Sequence, residues 1–410
     1  MTKPRRRQAG EGTISAYETK AGTRYLIKYT ATDPDGGRRV VLRRRGRDGR
    51  PMLTRKVAAE ELGDILAEVR RGAHVVPRRA TVGAWLDQWL EGLQLAESTV
   101  SSYAKNVRLH LKPSIGAVQL QNLTGARISA LYRDLERGGR QDHRAGDGLS
   151  PRTVRYIHTI LKAALEDAVD QGAIATNPAA KAKPPSKRAA KAPDIHPWTG
   201  PQLRAFLDYC RARSAAHTAA YHVLAYTGMR RGECLALRWR DLDVEAGRLA
   251  VRRSVGVVKT KGQRERLVEG PTKSARARVI DLDVDTLEVL RRWRLDRGSL
   301  SLQLVRDDAL IFGTLEGGHT HPERFSARFV EKQAQCRRDV DDEGPPAISV
   351  HDLRHTHATL LLQAGVPVKV VSERLGHASV VITLETYAHV MPGMQAQAAA
   401  TFAALIGGAS

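Results

Sequence analysis

Thr227-Gly228-Met229-Arg230-Arg231-Gly232-Glu233 is the stretch on which the reading of this chain turns. Helical patterns flank it, so it is a helix-to-helix junction. Gly228 supplies the backbone freedom a tight junction needs. Arg230 then projects from the start of the next helix, within i, i+3 reach of Glu233. Further along comes His351-Asp352-Leu353-Arg354, whose spacing puts His351 and Arg354 on one helix face. Leu375-Gly376-His377 follows, and Tyr387 comes ten residues after His377. Each fragment has an ordinary explanation: Tyr387 as packing, His377 as a neighbour of a helix cap, Arg230 as the ion-pair partner of Glu233. Their joint order and spacing is what carries information.

Around these motifs, residues 194–410 form the largest block. Pro201–Arg211 and Ala215–Tyr226 read as helices, Leu249–Val251 and Ala277–Leu282 as strands separated by a Lys/Arg/Gly-rich stretch, and Asp285–Arg294 as a helix. From His351 the pattern is helix, short loop, helix, with a last helix from about Met394. Asp281, Asp283 and Asp285 alternate but lack the glycine of a calcium loop, so they read as a strand end and a helix cap. His351, His355 and His357 resemble a metal cluster, but no Cys or acidic group completes a tetrahedral site.

Residues 81–180 read as helical. Thr81 N-caps a helix whose Trp85, Leu86, Trp89 and Leu90 form a buried stripe, the tryptophans being core rather than ligand contacts. Glu97–Leu111 is a second helix ending near Pro113, and Thr124–Glu136 a third, closed by Gly138-Gly139. Ser150-Pro151 opens a fourth with Val154, Ile157, Ile160, Leu161 and Leu165 on its apolar side, stopping before Gly172. Ala179–Pro193 has linker composition. Upstream, residues 1–11 read as a basic tail. Tyr25–Tyr29 and Arg39–Leu42 are β-like runs joined by the turn signal Asp33–Gly37. Arg43-Arg44-Arg45 follows directly, and Ala58–Val69 reads as a helix.

The 410 residues carry 66 Lys and Arg against 44 Asp and Glu, a net charge of +22. Residues 1–80 alone hold 20 basic and 9 acidic side chains. So basic a chain points to a polyanionic partner, nucleic acid before a membrane surface, with a merely solvated surface as the bland reading. The basic clusters lie among Gly, Asp and β-branched residues, not on an amphipathic helix, which argues against the membrane. The sequence lacks a long apolar run, a signal-peptide h-region, a Gly-Lys P-loop, H-E-x-x-H and G-x-S-x-G. Cys210, Cys234 and Cys336 show no metal or redox spacing and read as reduced thiols of a cytoplasmic protein.

The ordered set TGxRxxE, HxLRH, LGH and Tyr387 resembles the tyrosine recombinases of the phage integrase family, in particular integrases of phages and integrative elements of high-GC bacteria. The resemblance implies a mainly α fold with small β-sheets (α+β). Its domains would be an arm-type DNA-binding domain at 12–72, a helical core-binding domain at 80–178, a basic linker at 179–193, a catalytic domain at 194–393 and a C-terminal helix at 394–410, which docks either on a neighbouring protomer, the favoured reading, or on its own domain. A phosphodiester repels nucleophiles, so its transition state needs cations at the non-bridging oxygens, and guanidiniums match phosphate geometry. Arg230 and Arg354 match the family's arginine pair, His351 and His377 its histidines, and Tyr387 its nucleophile, which forms a 3′-phosphotyrosyl link and releases a 5′-hydroxyl. For the lysine that protonates the leaving oxygen, Lys273 is the candidate, with Lys259 and Lys261 behind it. Glu233 and Asp352 are expected to orient the arginines, and Arg43, Arg44 and Arg45 to touch DNA.

The implied function is site-specific integration, and excision, of a mobile element at DNA attachment sites, by a homotetramer, with no cofactor, ATP or metal. An excisionase and a host DNA-bending protein are the implied accessory partners. The competing readings are a type IB topoisomerase-like enzyme, which would relax DNA without pairing two sites, and a non-catalytic DNA-binding relative.

Overall fold

The computed structural model describes residues 12–32, 38–46, 50–70, 80–140, 146–191, 195–214, 217–259, 262, 264–272, 277–340, 344–388 and 394–406. The basic tail, the Asp33–Gly37 turn, Lys261 and Lys273 lie outside them. The chain divides into two compact units, Met1–Ala192 and Pro193–Ser410.

The first unit begins with an antiparallel sheet of β1 (Thr13–Thr19), β2 (Gly22–Thr32) and β3 (Arg38–Arg43), in that order. The two sequence-predicted runs lie in β2 and β3. β1 was harder to see, because its only large side chains are Ile14 and Tyr17, which point to opposite faces. The register Tyr29↔Val41 puts Ile27, Tyr29, Ala31 and Val41 on one face. There they pack with Met52 and with Ala58, Leu62 and Ile65 of α1 (Arg55–Arg70). The opposite face leaves Lys28, Thr30, Val40 and Leu42 exposed. The arginine triplet is split by the strand alternation: Arg43 falls on the side of Val41 and is half-buried, while Arg44 and Arg45 are exposed. The Arg44 guanidinium sits over the Tyr17 ring, 5.4 Å from its centroid.

The rest of the unit is helical: α2 (Val82–Gly92), α3 (Glu97–Asn106), α4 (Lys112–Ile115), α5 (Gly125–Gly138) and α6 (Pro151–Asp170). Thr81, Thr124 and Ser150 cap α2, α5 and α6 through their side-chain oxygens. Trp85, Leu86 and Trp89 are buried, and the indoles are satisfied from α6: Trp85 Nε1 donates to the Ala164 carbonyl at 2.7 Å, Trp89 Nε1 to the Asp167 carboxylate at 2.6 Å.

Two expectations are corrected here. The helix starting at Glu97 does not end near Pro113. It widens into a π-helical turn, Val107–Leu111, and runs on as α4 to Gly116, with Pro113 in the first turn of α4, where its missing N–H matters least. The segment with linker composition is only partly free. Pro178–Lys181 forms a 3₁₀ turn that buries Ala179, the Lys183 N–H donates to Ser129 Oγ at 2.9 Å, and Arg155 donates to the Pro185 carbonyl at 2.6 Å. Small side chains and prolines gave no apolar pattern to read, yet main-chain hydrogen bonds hold this stretch to α5 and α6.

The second unit holds α7 (Gly200–Ala212), α8 (Thr218–Thr227), α9 (Arg231–Cys234), β4 (Leu242–Asp243), β5 (Arg248–Val251), β6 (Arg253–Val258), β7 (Arg266–Pro271) and β8 (Arg278–Asp281). The helices α10 (Val284–Leu300), α11 (Pro322–Asp339), α12 (Asp352–Gln363), α13 (Val368–Leu375), α14 (Val380–Tyr387) and α15 (Met394–Ile406) follow. Trp198, Phe206, Tyr221, Phe325 and Phe329 form the centre of the core, with neighbouring ring centroids 5.1–6.0 Å apart. β5 pairs β4 and β8, with Leu249 opposite Ile280. The basic stretch between the predicted strands is itself a hairpin, β6–β7, whose Val255 and Val258 are buried among its arginines. Asp281 ends β8 and Asp283 N-caps α10, as their alternation suggested. α11 escaped the sequence reading although Phe325, Phe329 and Cys336 on it are buried.

Candidate active site

The site is assembled where α8, α9, β8, α12, α13 and α14 meet, all within the second unit. Gly228 ends α8 in the left-handed conformation, φ +64°, and its N–H donates to the Leu224 carbonyl. A Cβ there would lie 2.7 Å from both His357 Cδ2 and Leu375 Cδ2, so size and backbone both require glycine. Gly228→Ala should therefore destabilise the protein by about 2 kcal/mol, from left-handed strain and overpacking. Thermal unfolding checks this, and an unchanged melting temperature would mean the junction relaxes freely.

The tightness serves Arg354. This guanidinium is buried, and its Nη1 donates to the carbonyls of Gly228 at 2.8 Å and Leu375 at 2.7 Å. Its Nη2 is buried with no hydrogen-bond partner among the described residues. Burial, then the charge of Arg230, pulls the Arg354 pKa down. It remains a cation at neutral pH nonetheless.

Glu233 is the acidic counterpart. It is fully buried, and Oε1 accepts from Arg230 Nη1 at 2.8 Å while Oε2 accepts from the Arg230 N–H at 3.0 Å. The pairing of Arg230 with Glu233 was readable from their spacing. A second guanidinium was not: Arg278 of β8 also donates through Nη2 to Oε2, at 2.7 Å. Burial opposes ionisation of Glu233, but the Arg278 bond and charge, with the Arg230 bonds, outweigh it and hold the carboxyl below its usual range. Asp352 behaves differently from expectation. Its carboxylate accepts the Ser349 N–H at 2.7 Å, and no hydrogen bond to Arg230 or Arg354 is seen among the described residues. At the first position of α12 it caps a backbone amide, while its charge favours protonation of His351 and His355.

Tyr387, the last residue of α14, is buried against Ala358, Leu362, Val371 and Leu375. Its Oη lies 2.7 Å from His355 Nδ1. Sequence reasoning named His355 only as a possible metal ligand; its i, i+4 relation to His351 was the available signal. The two imidazole centroids are 5.1 Å apart. Burial raises the Tyr387 pKa to about 12 and lowers that of His355. Near neutral pH both are uncharged, and the imidazole tautomer with its proton on Nε2 leaves Nδ1 free to accept from the phenol. Burial, and then neighbouring cationic groups, brings His351 and His377 down to about 4. His377 Nδ1 is 2.7 Å from Thr383 Oγ1. His357 takes no part: its Nδ1 donates to the Ala225 carbonyl at 2.9 Å, and its Nε2 accepts from Arg374 Nε at 3.1 Å.

Of the candidate lysines, Lys259 is described. Carboxylates of Glu323 at 2.7 Å and Glu265 at 3.3 Å engage its ammonium, and these bonds raise its pKa, which makes it a poorer proton donor. The site thus joins the Arg354 guanidinium, whose Nη2 is buried with no partner among the described residues, to a second guanidinium on Arg230, neutral imidazoles and a phenol. That set suits an anion with several acceptor oxygens.

Comparison with known proteins gives the same picture. Residues 198–393 match the model of the phage integrase family. A protein described as "Tyrosine recombinase XerC-like", from Caldanaerobacter subterraneus subsp. tengcongensis, is 27% identical over 368 residues, covering 85% of this chain and 89% of its own. The solved Tn1549 transposon integrase in complex with a circular intermediate DNA superposes with a TM-score of 0.62 at 19% identity, covering 74% of this chain and 93% of that one. A lambda integrase tetramer bound to a Holliday junction gives 0.53 at 18% identity, covering 93% and 96%.

Proposed function

Because the chain belongs to the phage integrase family of tyrosine recombinases, we propose that it is a site-specific DNA recombinase working through a phosphotyrosyl intermediate. The observation that supports this most is that Arg354 lies within electrostatic reach of both Arg230 and Tyr387, residues from distant parts of the sequence. In the proposed reaction Tyr387 Oη attacks the scissile phosphorus while the bond to the 5′-oxygen breaks. The phenol proton leaves toward His355 Nδ1, the acceptor already beside it. The 5′-oxygen takes a proton from an acid, for which Lys273 remains our candidate. Arg230 and Arg354 bind the non-bridging oxygens, where charge accumulates. His351 and His377, neutral in the free protein, hydrogen-bond the same phosphate, whose negative charge draws their pKa upward. Attack by a 5′-hydroxyl on the phosphotyrosine reverses the chemistry, so rejoining needs no external energy. Incubating the full chain with nicked attachment-site DNA, from which the short fragment bearing the new 5′-hydroxyl diffuses away, should trap a covalent adduct on a denaturing gel. No adduct on any such substrate would overturn the reading.

The reading extends to integration and excision of a mobile element by a homotetramer, helped by an excisionase and a host DNA-bending protein. α15 leaves Phe402, Leu405 and Ile406 exposed, which supports its exchange between protomers. No described helix is long and apolar enough to cross a membrane. Action on DNA supports the reading of a cytoplasmic, nucleoid-associated protein.

The β1–β3 sheet, with Lys28, Arg44 and Arg45 exposed, supports the arm-type role of residues 12–72. Each phosphate neutralised adds about −0.9 to the slope of log affinity against log salt. Deleting residues 1–70 should flatten that slope and weaken arm-site binding, yet leave cleavage of a short core site intact. An unchanged slope and arm-site affinity would make the N-terminal charge a solvated face only.

A further inference from the structure

We propose that Arg278 is a positioning residue of the reaction, tying Arg230 to the turn that carries His377. The inference rests on the recombinase reading above. Arg278 reaches in two directions. Nη2 donates to Glu233 Oε2 at 2.7 Å, the carboxylate that also holds Arg230. Nε donates to the Arg374 carbonyl at 3.1 Å, in the last turn of α13. That carbonyl is next to the Leu375 carbonyl, which accepts from Arg354. Two guanidiniums therefore cap the C-terminal end of α13, where the helix dipole favours cations. The side chain of Arg278 is only 10% exposed.

The turn beyond α13 is built around this contact. Gly376 has φ +70°, and a Cβ on it would fall within 2.9–3.0 Å of Cδ, Nη1 and Cζ of Arg278. Gly376 thus lets the guanidinium lie flat beneath the turn, immediately before His377. Arg278 Nη1 is buried there without an acceptor among the described residues. The sequence showed Arg278 only as one of several basic residues at the start of a strand. Its fold position makes it the one side chain bonded both to the Arg230 carboxylate partner and to the main chain of the His377 turn, among the described residues.

If Arg278 acts by placing Arg230 and His377, its loss misaligns groups that act only in the transition state. An ångström-scale misplacement of that kind slows reaction by about 100-fold. Three variants of the full chain would be compared with the wild type in single-turnover cleavage of a nicked core site: Arg278→Gln, Arg230→Ala and the double change. Arg278→Gln should cut the cleavage rate by about 100-fold, with core-site affinity within about threefold of wild type. The double variant should lose clearly less than the product of the two single losses, because both single changes disable Arg230 and only the His377 share remains to add. Arg278→Lys keeps the charge but cannot span both partners, so it should recover less than a tenth of the lost rate. Wild-type cleavage in Arg278→Gln, or multiplicative losses in the double variant, would overturn the proposal. So would a loss confined to DNA affinity. If Arg278→Gln does not fold, Arg278→Lys decides: a rate near wild type overturns the proposal, a slow rate with intact affinity supports it. Should the wild type itself form no adduct, the recombinase reading fails instead.

Discussion

Tyr387→Phe should eliminate the covalent protein–DNA adduct while leaving DNA binding unchanged. The substitution removes one oxygen and keeps the ring in its pocket against Ala358, Leu362, Val371 and Leu375. Loss of the 2.7 Å hydrogen bond to His355 costs about 1 kcal/mol of stability, too little to unfold the domain. Catalysis, by contrast, loses its nucleophile outright. The check is a nicked attachment-site substrate, a denaturing gel for the adduct and a parallel binding titration. An undiminished adduct would assign the nucleophile elsewhere. The buried state of Tyr387 adds a second expectation. Its Oη must leave His355 or be met there by the phosphate, because the side chain is 1% exposed in the free protein.

The arginine clamp has the next largest expected effect. Arg354→Lys and Arg230→Lys preserve charge and lose the planar fork. Each should slow single-turnover cleavage by about 100-fold or more, equivalent to about 2.7 kcal/mol of transition-state stabilisation. Arg354→Lys should also lower thermal stability, because one ammonium cannot serve the Gly228 and Leu375 carbonyls and face a phosphate as well. Arg230, a quarter exposed and bonded to Glu233, should show the rate loss with little change in stability. A near-wild-type rate in either variant would make that arginine structural.

The residues proposed to carry the chemistry were legible through the ordered motifs that resemble the family. Arg230, His351, Arg354, His377 and Tyr387 were named from that resemblance, and the structure brings them within electrostatic reach of one another. Supporting contacts were less legible. Arg278 and His355 bond to groups remote in sequence, the Glu233 carboxylate and Arg374 carbonyl for the one and the Tyr387 hydroxyl for the other, and no local pattern marks such partners. Asp352 was misassigned for a related reason: an acidic residue at a helix start serves a nearby arginine or its own backbone equally well on paper. Helices with strong apolar periods, such as α6, were readable almost to their ends. The π-helical turn at Val107–Leu111 was not, since no pattern of residue types marks one. The β6–β7 hairpin was masked by its own charge.

One feature of the clamp bears on how such a site survives sequence drift. Arg354 is held by the carbonyls of Gly228 and Leu375, and Arg278 by that of Arg374. A carbonyl is present whatever side chain its residue carries. Replacing Arg374 or Leu375 changes packing but cannot delete the acceptor. The constraint passes instead to Gly228 and Gly376, where any larger residue would push the carbonyl-bearing turns away. The geometry that holds the catalytic cations is thus inherited through backbone shape, with two glycines as its vulnerable points, and the surrounding sequence is left free to diverge.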